Sequence, residues 1–400
     1  MANNYVFNDI LPVAPLKLAA LESCKDLATK VNDHIVTFRR NDTVELLRRQ
    51  QDLNYRGYDV DSYLLDCKCP RFGSGEAKAV INESVRGADL FAMVDVTNYS
   101  IPYSVCGYTN HMSPDDQDLK RIIGASVATA HRVNVVMPFL YEGRQHKRTK
   151  RESLDCAMAL EELISMGVSN IITFDAHDPR VQNAIPLSGF DNFMPTYQFV
   201  KALFTHDTSL KIDKDHLMII SPDEGAMNRA VYLANNLGVD MGMFYKRRDY
   251  SRVIDGRNPI VAHEFLGTSV EGKTVLIIDD MIASGESMLD TARELKERKA
   301  EKVIICCTFG LFTAGLEKFD QYYQNGYIDY VITTNLNYRP KELLDREWYL
   351  EADMSKYLAA IINSFNHDVS IGAALSPTEK IQKLVKRYQA GGYDYYQTIQ

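Results

Sequence analysis

The sequence predicts an α/β protein in which parallel sheets are flanked by helices. From residue 153 onward, apolar runs of strand length alternate with amphipathic runs that end in Gly or Asn, which is typical of βα units. Apolar residues make up 46% of the 400 residues and charged residues 24%, an ordinary globular composition. At about 150 residues per domain, this length indicates two or three domains.

The second half of the chain supplies the clearest elements. A helix is predicted over 153–166, ending at Gly167, and a buried strand follows over 168–174. Further strands are predicted over 216–220, 241–245, 274–278, 303–308 and 327–334, with helices over 224–237 and 286–298. Because ligands of open α/β sheets lie beyond the carboxyl ends of the strands, we expect the polar residues after these strands to share one edge.

The first half has a weaker pattern. Strands are predicted over 89–96 and 132–140 and a helix over 16–31, so a similar architecture is expected there. Segments 39–70 and 99–131 have little periodicity and are interpreted as insertions around that sheet. At the other end of the chain, Ser376-Pro377 opens a last helix, in which Ile381, Leu384 and Val385 form an apolar stripe.

Charge and composition exclude several classes of function. The 45 basic and 53 acidic residues give a net charge of −8, so nucleic acid is not expected as a main partner. No signal peptide and no run of about 18 apolar residues is visible, which predicts a cytoplasmic protein without a membrane segment. Seven cysteines without dense spacing indicate reduced thiols, and the single Cys67-x-Cys69 pair is weak support for a metal.

The strongest motif spans residues 277–287. An apolar strand leads into Asp279-Asp280, then a turn of small residues, then a helix start whose free amides and dipole favour a phosphate. Carboxylates repel phosphate but accept hydrogen bonds from vicinal sugar hydroxyls, so a phosphorylated pentose fits both halves. Taken alone, the pattern is equally that of an acidic turn and a capped helix without a ligand.

This motif resembles the phosphoribosyl diphosphate loop of type I phosphoribosyltransferases and related synthetases. Other blocks, in the same order, are similar to those of ribose-phosphate pyrophosphokinases: FGSGE at 72–76 with ESVRGAD at 83–89, GRQHKR at 143–148, FDAH at 174–177, SPDEGA at 221–226 and YKRR at 245–248. Chance occurrence of all these blocks together is far less probable than that of any one of them. The resemblance covers about three quarters of the chain.

The resemblance implies two type I phosphoribosyltransferase-like domains, at 1–185 and 186–375, with a helical extension at 376–400. It places the active site between the domains. It also implies a homo-oligomer, a hexamer in the family, in which a neighbouring subunit supplies the loop that binds ATP.

The implied reaction transfers the diphosphoryl group of ATP to the 1-hydroxyl of ribose 5-phosphate, giving phosphoribosyl diphosphate and AMP for nucleotide biosynthesis. Mg²⁺ and fixed cations are expected to supply most of the catalysis, so Lys246 and Arg248 are the catalytic candidates, on a loop whose 251–258 segment is expected to close as a lid. The Mg²⁺ candidates are His177 and Asp223, although magnesium prefers oxygen and the histidine rests on the resemblance.

Two groups of binding candidates remain. ATP is assigned to Phe72, Ser74, Glu76, Arg144, Gln145 and His146. Ribose 5-phosphate is assigned to Asp279, Asp280, Ser284, Gly285, Glu286 and Ser287.

The chain departs from the family pattern at four positions. Ala283 replaces an acid, Glu286 stands where a small residue is common, His146 replaces an acid, and Phe309 replaces a histidine. Two alternatives to an active diphosphokinase therefore stay open: a non-catalytic regulatory subunit of the same family, and a phosphoribosyltransferase that consumes phosphoribosyl diphosphate. The latter has no need of the ATP blocks.

Overall fold

The computed structural model describes residues 11–48, 55, 57–105, 108–111, 115–248, 260–372 and 377–391. The chain divides into two compact units. The first comprises the described parts of Met1–Met194, Asn335–Tyr338 and Met354–Leu375, and the second those of Pro195–Thr334, Arg339–Asp353 and Ser376–Gln400. No helix within the described ranges is long and apolar enough to cross a bilayer.

The first unit is built on a parallel five-stranded sheet. Its elements are β1 (Leu16–Ala20), α1 (Lys25–Arg48), β2 (Cys67–Lys68), β3 (Val80–Ile81), β4 (Asp89–Met93), β5 (Pro102–Val105), β6 (Tyr108–His111), α2 (Asp115–Ser126), β7 (Arg132–Val136), α3 (Asp155–Ser165), β8 (Asn170–Phe174) and β9 (Gly189–Phe193). The strand order is β1-β4-β7-β8-β9, and β2-β3 and β5-β6 form two antiparallel hairpins.

The predicted helix over 16–31 is wrong at its start. Leu16–Ala20 is a strand that pairs in parallel with β4, and the α-helix begins at Lys25. Leu16 and Leu18 are buried while Lys17 between them is half-buried, an alternation that a strand satisfies and a helix does not.

The two segments interpreted as insertions carry regular structure. Helix α1 runs into the first of them, as far as Arg48. Helix α2 lies inside the second and buries Leu119, Ile122 and Ile123 in the core of the sheet. These parts are therefore components of the unit rather than excursions around it.

The second unit is built on a seven-stranded sheet. Its elements are α4 (Thr196–His206), β10 (Leu217–Ser221), α5 (Met227–Leu237), β11 (Asp240–Arg248), β12 (Ile260–Leu266), β13 (Thr274–Ile282), α6 (Glu286–Glu297), β14 (Lys302–Gly310), α7 (Glu317–Gln324), β15 (Tyr330–Thr334), α8 (Lys341–Leu344) and β16 (Tyr349–Ala352). The strand order is β12-β11-β10-β13-β14-β15-β16, with only the β11-β12 pair antiparallel.

Strand β13 extends beyond its predicted end at residue 278. Its pairing with β14 continues through Asp279 to Ile282, opposite Gly310. Asp279 and Asp280 therefore belong to the strand, and only the residues after Ile282 form the turn. Pairing with β14 causes this extension, and the sequence of β13 alone does not indicate that pairing.

The division of the chain differs from the predicted domain limits at 185 and 375. Helix α9 (Ser355–Asn366) packs on α1 and belongs to the first unit. Helix α10 (Thr378–Gln389) packs on α4 and α5 in the second unit, where the predicted stripe of Ile381, Leu384 and Val385 is buried. The chain thus returns to the first unit before its last helix.

Candidate functional site

The carboxyl edge of the seven-stranded sheet gathers the acidic loops of the second unit. Strand β10 ends at Ser221, and the half-buried Asp223 follows it. The Asp223 carboxylate accepts hydrogen bonds from the amides of Gly225 (2.9 Å) and Ala226 (3.3 Å), and the Ser221 hydroxyl donates to the Asp223 carbonyl (2.6 Å). This loop is a compact turn that holds one carboxylate at the strand end.

The paired aspartates lie on the neighbouring strand, β13. Asp280 is 3% exposed, whereas Asp279 is half-buried and accepts a hydrogen bond from the Asp280 amide (2.8 Å). Burial and the adjacent Asp280 carboxylate raise the pKa of Asp279 well above its usual range, with a further contribution from Asp223. The three carboxylates therefore form one electrostatic group.

The turn after β13 requires a glycine. Gly285 has φ of 84°, and a Cβ there would lie 2.5 Å from the Phe319 ring. Helix α6 begins at the next residue, Glu286. Ser284 precedes the glycine, and Ser287 is the second residue of the helix. Its first amides have no earlier helical turn to donate to, which is the local structure that favours a phosphate.

The two departures from the family pattern in this loop have clear surroundings. The Glu286 carboxylate is exposed and pairs with Lys318 (2.8 Å), whose hydrogen bond and charge hold the pKa of Glu286 below its usual range. The carbonyl of Ala283 accepts a hydrogen bond from the Thr313 amide (2.9 Å). Glu286 thus has a cationic partner, and Ala283 contributes to the turn through its backbone.

The basic strand end lies at the same edge. Strand β10 pairs with β11 only as far as Met243, and beyond it β11 pairs with β12 alone, with Lys246 opposite His263. The structure describes the backbone of Lys246 and Arg248 as part of this ribbon. The predicted lid at 251–258 lies outside the described residues.

In the first unit, residues 72–76 form the tip of the hairpin between β2 and β3. The Phe72 amide donates to the Glu76 carbonyl (2.7 Å), and the Ser74 hydroxyl donates to the Glu76 carboxylate (2.9 Å). The Phe72 ring is 51% exposed, with the Lys78 ammonium 5.6 Å from its centroid. Below the tip, Arg71 makes a bidentate pair with the buried Asp118 on α2 (3.0 and 2.8 Å).

A second cluster of the first unit lies beyond β7 and β8. The loop of Arg144, Gln145 and His146 follows β7, and His177 and Asp178 follow β8. His146 approaches both of the latter: its Nε2 lies 3.5 Å from an Asp178 carboxylate oxygen, and its ring centroid lies 5.4 Å from that of His177. The structure therefore brings the predicted ATP segment and the predicted metal histidine together.

Each unit has one further charged residue beside its cluster that the motif blocks did not single out: Asp178 in the first unit and Arg229 in the second. Hydrogen bonds from Arg180 hold the pKa of Asp178 well below its usual range, which keeps a carboxylate beside the two histidines. Arg229, in the first turn of α5, lies 3.9 Å from Asp280. The sequence signal that could have indicated Arg229 is a basic residue one helical turn after the SPDEG block at 221–225.

Two family models match the chain. The N-terminal domain of ribose phosphate pyrophosphokinase matches residues 16–167, and the phosphoribosyl transferase domain matches residues 201–337. The range of the first match includes both segments that the sequence analysis interpreted as insertions.

Curated relatives and a solved structure agree with these matches. The ribose-phosphate pyrophosphokinase of Vibrio parahaemolyticus is 29% identical over 84% of this chain and 97% of its own length. That of Pasteurella multocida is 30% identical over 71% of this chain and 82% of its own length. The crystal structure of phosphoribosylpyrophosphate synthetase from Mycobacterium smegmatis superposes with a TM-score of 0.67 at 21% identity, covering 88% of this chain and 99% of that one, and supports the fold.

The fold and its loops define a protein made of two phosphoribosyltransferase-like domains. Within that class, the N-terminal domain match and the length shared with the curated relatives are decisive. The chain belongs to the ribose-phosphate pyrophosphokinase family.

Proposed function

We propose that this chain transfers the diphosphoryl group of ATP to the 1-hydroxyl of ribose 5-phosphate, giving phosphoribosyl diphosphate and AMP. The observation that carries the proposal is the loop at residues 279–287, where a strand with two acids leads through Gly285 into the start of α6. The acids suit the sugar hydroxyls and the helix start suits the 5-phosphate. The first unit adds the nucleotide elements that a phosphoribosyltransferase does not need.

The ribose 5-phosphate residues divide by chemistry. Asp279 accepts hydrogen bonds from the ribose hydroxyls, and the amides and hydroxyls of the 284–287 turn hold the phosphate. Glu286 contributes its backbone, because its carboxylate pairs with Lys318.

The ATP residues lie on two loops of the first unit. The half-exposed Phe72 ring offers a face for adenine, with Ser74 and Glu76 hydrogen-bonding beside it. Arg144 and Gln145 donate to the phosphates or the base, and His146 extends this set toward His177. Lys246 and Arg248 stabilise the negative charge that develops as the diphosphoryl group moves.

We further propose Mg²⁺ as the cofactor. No group of three His, Cys, Asp or Glu side chains in the described part of the chain is arranged to hold a metal alone, so a bound ion would need oxygen ligands in addition to those of the protein. Asp223 offers a half-buried carboxylate and His177 an exposed imidazole. When bound, the ion offsets the charge of the phosphates and polarises the phosphorus under attack.

We also propose a cytoplasmic homo-oligomer with an ATP site shared between subunits, as in the family hexamer. The exposure of Phe72 at a hairpin tip supports this assembly, because a ring that binds adenine needs a partner surface to exclude water. Sedimentation of the protein with and without ATP measures the assembly. A monomer that turns over at full rate would contradict the shared site.

The experiment that tests the activity uses the full chain with ATP, ribose 5-phosphate, Mg²⁺ and inorganic phosphate, followed by phosphorus NMR. We expect AMP and phosphoribosyl diphosphate in equal amounts, and neither product when one substrate is omitted. An Asp279→Asn variant is the matched control, since it removes the carboxylate and keeps the shape. Retained ATP binding without turnover would overturn the proposal and favour a regulatory subunit.

Lys246→Ala tests the assigned transition-state role. We expect turnover to fall by roughly 100-fold while ATP affinity stays within a few-fold, because a group that acts mainly in the transition state changes kcat more than binding. Steady-state kinetics and ATP titration measure the two quantities. An equal loss in both would assign Lys246 to ground-state binding instead.

A further inference from the structure

We propose that Asp118 of α2 is a positioning residue for ATP, which acts through Arg71 to hold the 72–76 loop in the geometry that binds adenine. This role rests on the proposed function and adds to it a residue outside the loop that binds the base. Three observations carry it: the short hairpin, the contacts of Arg71, and the cavity beside the Arg71–Asp118 pair. All of these residues belong to the first unit.

The hairpin that carries the 72–76 loop is short. Strands β2 and β3 have two residues each. Closer to the tip, an isolated bridge joins Arg71 to Ala77. The Lys78 amide donates to the Pro70 carbonyl at 3.3 Å. Because a two-stranded hairpin is marginally stable by itself in water, the position of this loop depends on contacts with the rest of the unit.

Arg71 connects the base of the loop to α2. Its Nη1 and Nη2 donate to the two carboxylate oxygens of Asp118 (3.0 and 2.8 Å), and Nη1 also donates to the Cys69 carbonyl (2.9 Å). This planar contact at two points fixes the orientation of the guanidinium, which a lysine ammonium could not do. Because Arg71 directly precedes Phe72, the pair holds the backbone from which the Phe72 ring extends.

The pair is shielded from water, and its acid has a second cation. The side chains of Arg71 and Asp118 are 20% and 4% exposed. Asp118 also lies 2.6 Å from Arg121, which is one turn further along α2. A shielded carboxylate left without a cation is costly. Arg121 supplies that cation when Arg71 is replaced, so α2 keeps its charge balance while the hairpin loses its link.

A cavity of about 230 Å³ lies beside the pair, at the base of the hairpin. Its lining includes Leu21, Cys67, Cys69 and Ile122, together with Arg71 and Asp118. The hairpin is therefore not tightly packed on the core at this point, and its base has room to shift when the pair is broken. Loss of the pair is expected to move the loop and leave the unit folded.

The expected consequence is specific to the base of the nucleotide. The Phe72 ring and its neighbours Ser74 and Glu76 are assigned to adenine, so a displaced loop weakens contacts with the base and spares those with the phosphates. Tripolyphosphate has the phosphates of ATP without the adenosine. It therefore separates a positioning role from direct contact between Arg71 and the phosphates.

The test measures binding of ATP, tripolyphosphate and ribose 5-phosphate to the full chain by calorimetry in the presence of Mg²⁺. Arg71→Gln is expected to weaken ATP binding roughly 10-fold, the size of one lost stacking contact with a base, and to leave the other two affinities within about twofold. Asp118→Asn is expected to give the same pattern. Arg121→Gln is the matched control, because Arg121 contacts the same carboxylate from within α2, and it should leave all three affinities within about twofold.

The double variant Arg71→Gln/Asp118→Asn distinguishes one shared contact from two separate effects. We expect it to bind ATP no more weakly than the weaker of the single variants, because both substitutions break the same pair. Losses that multiply, or an equal loss of tripolyphosphate affinity, would show that Arg71 contacts the nucleotide itself and would overturn the proposal. An unchanged ATP affinity in Arg71→Gln would overturn it as well. Should Arg71→Gln not fold, Arg71→Lys, which keeps the charge and loses the fork, decides by the same criteria.

Wild-type binding separates the role of Asp118 from the proposed function. Failure of the unmodified protein to bind ATP would reject the proposed function. Wild-type ATP binding that Arg71→Gln leaves unchanged would reject only the role of Asp118.

Discussion

The two loops assigned to the substrates are built in opposite ways. In the second unit, the 279–287 loop grows out of a seven-stranded sheet, with Asp280 3% exposed and Gly285 sealed against Phe319. In the first unit, the 72–76 loop is the tip of a short hairpin, with Phe72 51% exposed. The hydrophobic core of the second unit holds the 279–287 loop in one geometry. The 72–76 loop is instead fixed by hydrogen bonds within its turn and by the Arg71–Asp118 pair below it. Substitutions in the two loops should therefore affect stability and binding in different proportions.

Asp279→Asn should have the largest effect, with opposite signs for binding and stability. Loss of a charged acceptor for two hydroxyls, at about 1.5–3 kcal/mol each, predicts at least a 100-fold weaker affinity for ribose 5-phosphate. Because the pKa of Asp279 is raised in the folded state, its ionised form destabilises the fold at neutral pH. We expect a higher Tm for Asp279→Asn at pH 7.5, measured by calorimetry.

The pH dependence provides the control for this prediction. Below the ordinary pKa of an aspartate, about 3.9, the carboxyl is protonated in both folded and unfolded states, so the stability gain should vanish as the pH falls toward that value. A Tm gain that persists unchanged at low pH would point to repacking instead of charge.

Gly285→Ala should come next, and Gly73→Ala in the other loop is its matched partner. An alanine at φ of 84° costs roughly 1–2 kcal/mol, before its Cβ meets the Phe319 ring at 2.5 Å. We expect a lower Tm and about 10-fold weaker ribose 5-phosphate binding. A Cβ at Gly73 would meet nothing within 4 Å, so that variant should keep its Tm. Equal destabilisation by the two substitutions would contradict the proposed difference in how the two loops are held.

Phe72→Ala should change binding and spare stability. Loss of aromatic stacking on a base, worth about 1–3 kcal/mol, predicts a roughly 10-fold or larger rise in KM for ATP. The half-exposed ring contributes little to the core, so the Tm should stay within about 1 °C. Leu187→Ala, at a residue that is 99% exposed in the same unit, serves as the reference for a surface substitution. A large drop in Tm with unchanged KM would make Phe72 a packing residue.

Glu286→Gln should have the smallest effect. The carboxylate pairs with Lys318 at the surface, where such pairs contribute little and are screened by salt. We expect ribose 5-phosphate affinity within twofold of the wild type at 0.15 M salt. A change of 10-fold in either direction would show that the Glu286 side chain faces the substrate.

The local order of the sugar-phosphate loop follows from the sequence. The loop is encoded in one continuous stretch: an apolar run, two acids, small residues, Gly285 and an amphipathic run. Each of these features determines the local structure through residues that are close to it in the chain. Gly238 is a second example, because it directly follows the predicted helix over 224–237 and ends α5 with φ of 70°. Patterns of this kind predicted the fold class and most elements of the second unit.

Tertiary structure decided what depends on partners distant in the chain. Leu16–Ala20 is a strand because β4 lies beside it, and β13 continues through Asp280 because β14 pairs with it. The approach of Arg229 to Asp280 depends on the packing of α5 against the sheet. Sequence periodicity specifies that a face is buried but leaves open what buries it, so these roles appear only in the folded chain.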